Sequence, residues 1–259
     1  MTPALIRIPL ILIALGTPAA ALALTLDAFT GAFPPNPCMP NSGAPVVFVG
    51  PMCDGVACPP DPPAGCYESL ADQVGLGGVL FGVRRVASVA SGAENPVAAR
   101  VRPELGVVDV TAAGPDWHLF SSRYGTSGGI PTEALHLDLS GLGALAFRVP
   151  FSGTVSPAEP MIIDVQLWGG AGQGGPPNAE ATVTITSSGD VVIPLSAFVP
   201  LYGFSFSDVW GIDVHVADCF IEPCPNPSYP DRAYSIGPIT IDTAPTPAAA
   251  PSWGTLKTR

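Results

Sequence analysis

From residue 67 to 242 the chain is a series of short apolar runs, most alternating with period two and separated by Gly, Pro, Ser and Asp. In LHLDLS (135–140) Leu135, Leu137 and Leu139 face one way while His136 and Asp138 face the other. In ATVTITS (181–187) Val183 and Ile185 oppose Thr182, Thr184 and Thr186. Such alternation is that of half-buried strands. The same pattern runs through GVLFGVRRVASVA (78–90), AARVRPELGVVDVTA (98–112), WHLFSSRYG (117–125), ALAFRVPF (144–151) and MIIDVQLWG (161–169). It continues in DVVIPLSAF (190–198), VWGIDVHVA (209–217) and YSIGPITID (234–242), with LTLDAFTGAF (24–33) as a first strand and turn. About ten strands punctuated by turns predict an all-β fold, an antiparallel β-sandwich of jelly-roll type. Tyr67 to Val74 is the one segment that reads as helical.

Outside this body the chain changes character. The first 23 residues read as a signal peptide, with Arg7, the apolar stretch Ile8 to Leu15 and the small-x-small site Ala21-Leu22-Ala23. The apolar stretch is shorter than the roughly 20 residues that span a bilayer, so no transmembrane anchor is expected in the mature chain. Residues 34–66 hold ten prolines and Cys38, Cys53, Cys58 and Cys66. Neither helix nor central strand runs through such a segment, which reads as a long loop inserted in a single domain over 24–242. Residues 243–259 are a Pro/Ala-rich tail.

Export makes the cysteines readable as disulfides: the four above, and Cys219 with Cys224 around a short loop. Proximity favours Cys219 with Cys224, leaving the front four to pair among themselves. The competing zinc reading meets two C-x4-C pairs with no His near either.

Composition narrows the function. Gly and Pro number 29 and 32, charged residues are only 12%, and the hydrophobic fraction of 47% is enough for a packed core. Coiled coils and helical bundles are excluded. With 10 basic against 21 acidic residues, net −11, the chain has nothing to neutralise a run of phosphates, which excludes nucleic acid as a partner.

Alternation also collects polar side chains. His136 and Asp138 share one face of their strand, as do Asp213 and His215. Asp164, Gln166 and Trp168 share another with Ile162. If these strands are neighbours, one face gathers carboxylates, imidazoles, an amide and an indole. A flat aromatic flanked by hydrogen-bonding groups suits a sugar, which has an apolar ring face and a rim of hydroxyls. The reading requires an open groove around Trp168, and burial of Trp168 in the core removes it. The bland alternative is a solvated outer face, and the two His/Asp pairs also suit a transition metal. Gly125-Thr126-Ser127-Gly128-Gly129 matches the G-x-S-x-G elbow of serine hydrolases. Ile130-Pro131 follows at once where an elbow needs a helix, so this reads as a hairpin loop.

Three stretches together resemble bacterial exported proteins of the PEP-CTERM, exosortase-sorted kind. They are LTLDAF followed by GVLFGVRRVASV, the ladder from LDLSGLGALAFRV through ATVTITSSGDVVIPLSAF and FSDVWGIDVHV to IGPITID, and the tail APSWG. The tail departs from the sorting motif: no Glu precedes Ser252 and no apolar stretch follows Trp253. The resemblance implies a jelly-roll body like those of carbohydrate-binding modules and galactose-binding domains. It further implies that the first and last strands meet around a structural Ca²⁺, which would be held by Asp27 and Asp242. The function expected is that of an exported, non-catalytic protein of the cell surface or extracellular matrix that touches polysaccharide. The alternative is a secreted hydrolase using Ser127 or a carboxylate pair.

Overall fold

The computed structural model describes residues 22–31, 46–48, 68–73, 75–82, 84–90, 97–112, 118–125, 134–169, 179–201, 203–218 and 230–244. Two antiparallel sheets account for most of them. The eight-stranded sheet contains β1 (Leu22–Asp27), β2 (Val46–Phe48), β5 (Val97–Arg102), β6 (Val107–Ala112), β8 (Ala144–Gly153), β11 (Gly189–Pro194), β14 (Arg232–Ile236) and β15 (Ile239–Thr243). The seven-stranded sheet contains β3 (Glu68–Gln73), β4 (Arg84–Ala90), β7 (His118–Gly125), β9 (Met161–Trp168), β10 (Ala179–Ile185), β12 (Val199–Pro200) and β13 (Gly211–Ala217). The expected all-β sandwich is what the chain forms. Among the described residues no helix is long and apolar enough to cross a membrane.

The strands outnumber the apolar runs because two runs break and β2, β3 and β12 form outside them. AARVRPELGVVDVTA folds back on itself as the hairpin of β5 and β6. Its turn is closed by Leu105 N–H to the Arg102 carbonyl and Gly106 N–H to that of Pro103. Gly106 takes a left-handed φ of 62°, which a side chain would resist. YSIGPITID splits into β14 and β15 at Gly237-Pro238, where proline offers no N–H to the ladder. The two pieces share one long neighbour: β8 pairs β14 through Ser152 and β15 through Arg148, with β11 along its other edge.

Two expectations fail. The stretch 67–74 is no helix, because Glu68–Gln73 pairs residue for residue with β4, from Glu68↔Val89 to Gln73↔Arg84. Sheet pairing outweighs the modest helical preference of ESLADQ. Nor is 135–140 a strand. Leu135, Leu137 and Leu139 are buried as the alternation requires, but beyond a single bridge, Leu137↔Val209, the segment runs into turns. All six cysteines and Ser127 lie outside the described residues.

The core fills the space between the sheets. Phe147, Val149 and Phe151 of β8 point into it, as do Val108 and Val110 of β6 and Ile239 and Ile241 of β15. From the other sheet come Ile163, Val165 and Leu167 of β9, Ile212, Val214 and Val216 of β13, and Phe120 of β7.

Two buried ion pairs join the sheets at opposite ends of β7. At one end Arg84 Nη1 donates to both oxygens of Asp27, at 3.0 and 2.8 Å. Asp27 also accepts Tyr124 Oη at 2.9 Å and the Phe29 N–H at 2.7 Å. At the other end Arg232 Nε donates to Asp218 Oδ1 at 2.6 Å, and His118 Nδ1 lies 2.6 Å from Oδ2. His118 Nε2 completes the chain to Tyr234 Oη at 3.2 Å.

Arg84→Met leaves the Asp27 carboxylate buried and without its cation. It is expected to cost about 3–5 kcal/mol in urea unfolding. Adding Asp27→Asn, which removes the stranded charge, is expected to recover at least half of that loss.

Candidate functional site

The outer side of the seven-stranded sheet is unlike that of an ordinary sandwich. In β9 the residues between those that fill the core are Ile162, Asp164, Gln166 and Trp168. In β13 they are Gly211, Asp213, His215 and Ala217. Register sets His215 opposite Asp164, Asp213 opposite Gln166 and Gly211 opposite Trp168. Five of the residues expected to bind a sugar are thus brought together. Their neighbours across the sheet, not singled out from the sequence, are Thr182 of β10 opposite Asp164, and Ser121 and Arg123 of β7 opposite His215 and Asp213.

The polar face is closed, contrary to the open groove expected. Trp168 is 7% exposed, Gln166 8%, His215 4%, Asp213 2% and Asp164 0%. Trp168 nevertheless stands outside the hydrophobic cluster between the sheets. Its indole Nε1 donates to Asp213 Oδ2 at 3.2 Å, and Arg123 Nε approaches the same oxygen at 3.9 Å. Thr182 Oγ1 donates to Asp164 Oδ1 at 2.7 Å. Asp164 Oδ2 and Ser121 Oγ, both buried, have no hydrogen-bond partner among the described residues.

Burial moves two titrations in opposite directions. Asp164 is pushed up to about 7, chiefly by loss of solvent, with the Thr182 hydroxyl pulling the other way and the Glu180 carboxylate adding to the rise. His215 is pushed down to about 3 by burial and by the Arg123 charge. Near neutral pH the imidazole is uncharged and the Asp164 carboxyl is shared between its acid and its anion.

His136 and Asp138 do not join this face. They lie in the segment before β8, which borders residues 206–210. Asp138 Oδ1 accepts the Gly141 N–H at 2.6 Å and closes the turn into β8. His136, with a left-handed φ of 47°, places Nδ1 2.9 Å from Asp208 Oδ1. Trp210 Nε1 donates to Asp208 Oδ2 at 2.9 Å, and the imidazole and indole rings meet edge-on at 5.2 Å. These two hydrogen bonds hold Asp208 below the usual carboxylate range. Asp208 was not singled out in the sequence and Trp210 reads there as core or loop packing, although Asp-x-Trp in FSDVWG was the signal available.

The expected calcium pair is not assembled. Asp27 is saturated by Arg84, Tyr124 and Phe29, whereas Asp242 binds Arg148 Nη2 at 2.6 Å. In the β1–β15 register Asp242 stands opposite Ala23 and Asp27 opposite Ile239, so the two carboxylates occupy different places along the pair. The two His/Asp pairs expected to suit a transition metal also lie apart. No group of three or more metal-binding side chains occurs among the described residues.

No family model matches the chain, and no curated protein matches it. Among solved structures it is similar to the family 11 carbohydrate-binding module from Clostridium thermocellum in complex with a β-1,3-1,4-mixed-linked tetrasaccharide. The identity is 14%, over 68% of this chain and 96% of that one, with a TM-score of 0.39. It is also similar to the family 11 module of the C. thermocellum cellulosomal cellulase Lic26A-Cel5E, at 11% identity over 68% and 88% of the two chains with a TM-score of 0.33. Likeness at this level says nothing of ligand or activity for this chain.

The two shifted groups give stability a pH dependence of known sign. Asp164 binds its proton more tightly folded than unfolded, so its contribution is full below pH 4 and is lost as pH rises towards 7. His215 binds its proton less tightly folded, so its contribution is lost as pH falls from 6.5 towards 3. Between about pH 4 and 6.5 the two slopes oppose each other. Urea midpoints of Asp164→Asn relative to the parent are expected to rise with pH across that window. Those of His215→Gln are expected to fall; parallel curves for all three proteins would contradict the assignment.

Proposed function

We propose that this chain is an exported, non-catalytic β-sandwich that binds a polysaccharide outside the cell through the outer face of its seven-stranded sheet. One observation carries this reading: a face hidden from solvent is built from Asp164, Gln166, Asp213, His215, Ser121 and an indole rather than from aliphatic side chains. A sheet covered on both sides normally presents apolar residues on both. Each buried polar atom left unpaired costs about 1–3 kcal/mol, and Asp164 Oδ2 and Ser121 Oγ are two such atoms. A ligand rich in hydroxyls supplies the missing partners, and the Trp168 ring offers an apolar surface to a pyranose face. The paired state of the other groups, with Trp168 fixed by Asp213, means that little reorganisation is needed once the sugar is in place. The open groove around Trp168 that the sequence reading requires is not present, so binding calls for a second state in which the cover over Trp168 is displaced, and association is slower than at an open cleft.

The test is a glycan array on the secreted protein followed by calorimetry on the best neutral polysaccharide. Trp168→Phe and Gln166→Ala are each expected to weaken binding about tenfold, the equivalent of roughly 1.4 kcal/mol. Binding to no glycan, or affinities unchanged in both variants, would overturn the reading. Release of new reducing ends from the bound polysaccharide would overturn its non-catalytic part.

A further inference from the structure

We infer that His136, Asp208 and Trp210 form a second, solvent-facing sugar contact at the rim of the same sheet, so that the ligand is a neutral glycan chain reaching from Trp168 to this rim. The inference rests on the glycan reading of the covered face.

The rim is joined to that face through the backbone. Trp168 ends β9, and its carbonyl accepts the Trp210 N–H at 2.7 Å. The Trp210 carbonyl in turn accepts the Leu135 N–H at 2.9 Å, and Leu137 and Val209 exchange two hydrogen bonds of 2.9 Å. Leu135 and Leu137 are buried on either side, which drives His136 outward; its side chain is 63% exposed and that of Asp208 53%. Exposed groups are therefore held by a run of backbone hydrogen bonds that begins at the buried tryptophan, the rigid support that a binding contact needs.

The hydrogen bonding of the cluster decides what it accepts. Asp208 takes one donor on each oxygen, Nδ1 of His136 and Nε1 of Trp210, and each oxygen keeps further lone-pair capacity. Nε2 of His136 faces away from Asp208, an acceptor in the neutral ring and a donor in the imidazolium. The indole N–H is already spent on Asp208. What faces solvent is thus the remaining acceptor capacity of Asp208 beside two ring edges, and a partner must bring O–H donors to it. The hydroxyls of an uncharged sugar meet that demand, whereas a uronate would set its carboxylate against Asp208. The left-handed backbone at His136 is held by the flanking leucines and the Asp208 bond. A glycine there keeps the backbone path and loses only the imidazole.

Calorimetry with an oligosaccharide series from disaccharide to hexasaccharide, cut from the polysaccharide that binds, tests the proposal. The parent is expected to gain affinity with length. Asp208→Ala and His136→Gly are each expected to lower hexasaccharide affinity about tenfold, the worth of one hydrogen bond to a charged group, and to leave the disaccharide unchanged. Trp168→Phe is expected to weaken every length. Unaltered unfolding midpoints in His136→Gly and Asp208→Ala show that the loss is one of contact rather than of fold. If the hexasaccharide binds the parent and both rim variants equally, the rim contact is wrong while the covered face stands. If the parent binds no glycan, both fall. An acidic hexasaccharide bound as tightly as the neutral one overturns the acceptor character assigned to the rim.

Discussion

An ionised carboxylate between two sheets costs several kcal/mol unless a cation and further donors complete its shell. Asp27 and Asp218 are both in this position, with side chains 0% exposed, and each draws its arginine from the opposite sheet. Asp27 belongs to β1, and Arg84 and Tyr124 reach it from β4 and β7. Asp218 follows β13, and Arg232 reaches it from β14. Strand β7 spans the two, with His118 at one end and Tyr124 at the other, six residues or about 20 Å away. A slip of one residue in β7 would turn both side chains to the wrong side of the sheet. The ion pairs therefore fix the register of the seven-stranded sheet against the eight-stranded one. That register in turn sets which residues of β9 and β13 face outward.

The alternation of apolar and polar residues was enough to read most strands, because period two is a local property of the backbone. Where the reading failed, the deciding interaction was distant in sequence. Glu68–Gln73 has a helix-compatible composition and becomes a strand because β4 offers it an edge. LHLDLS alternates well but has only an isolated bridge beside it, so its buried leucines are anchored without a ladder. Arg84 and Arg85 are adjacent in a strand, so one of them must leave the core side. That the fully buried one would be Arg84, matched to Asp27 from 57 residues away, was not legible in either local sequence.

The candidate site was legible to the same degree and for the same reason. Alternation placed Asp164, Gln166 and Trp168 on one side of β9 and Asp213 and His215 on one side of β13. Only the pairing of those strands makes the two sets one face. His136 and Asp138 obeyed the alternation too, yet their segment pairs with no strand of the sheet, and they stand apart. Asp27 and Asp242 were joined by a resemblance of chain ends, but an offset along the β1–β15 pair, from Ile239 to Asp242, and two separate arginines keep them apart. Burial was the property that sequence could not supply: polar side chains on the outer side of a sheet ordinarily mean water.

A polar face that is also dry must limit its charge. Unscreened carboxylates at Asp164 and Asp213 would repel each other across the β9–β13 pair, and a protonated His215 would add a desolvated cation beside Arg123. Burial removes both difficulties, by raising Asp164 towards neutrality and by keeping His215 uncharged. Asp213 and Arg123 approach to 3.9 Å and compensate each other, so the charge left at the centre is the partial one of Asp164. The centre of the face is thus close to electroneutral while keeping its hydrogen-bonding capacity. An ionic ligand would gain little there and would lose its hydration on the way in. An uncharged polyhydroxyl ligand loses less and meets more of what the face offers, so the low charge of the face favours the same class of ligand as its indole does.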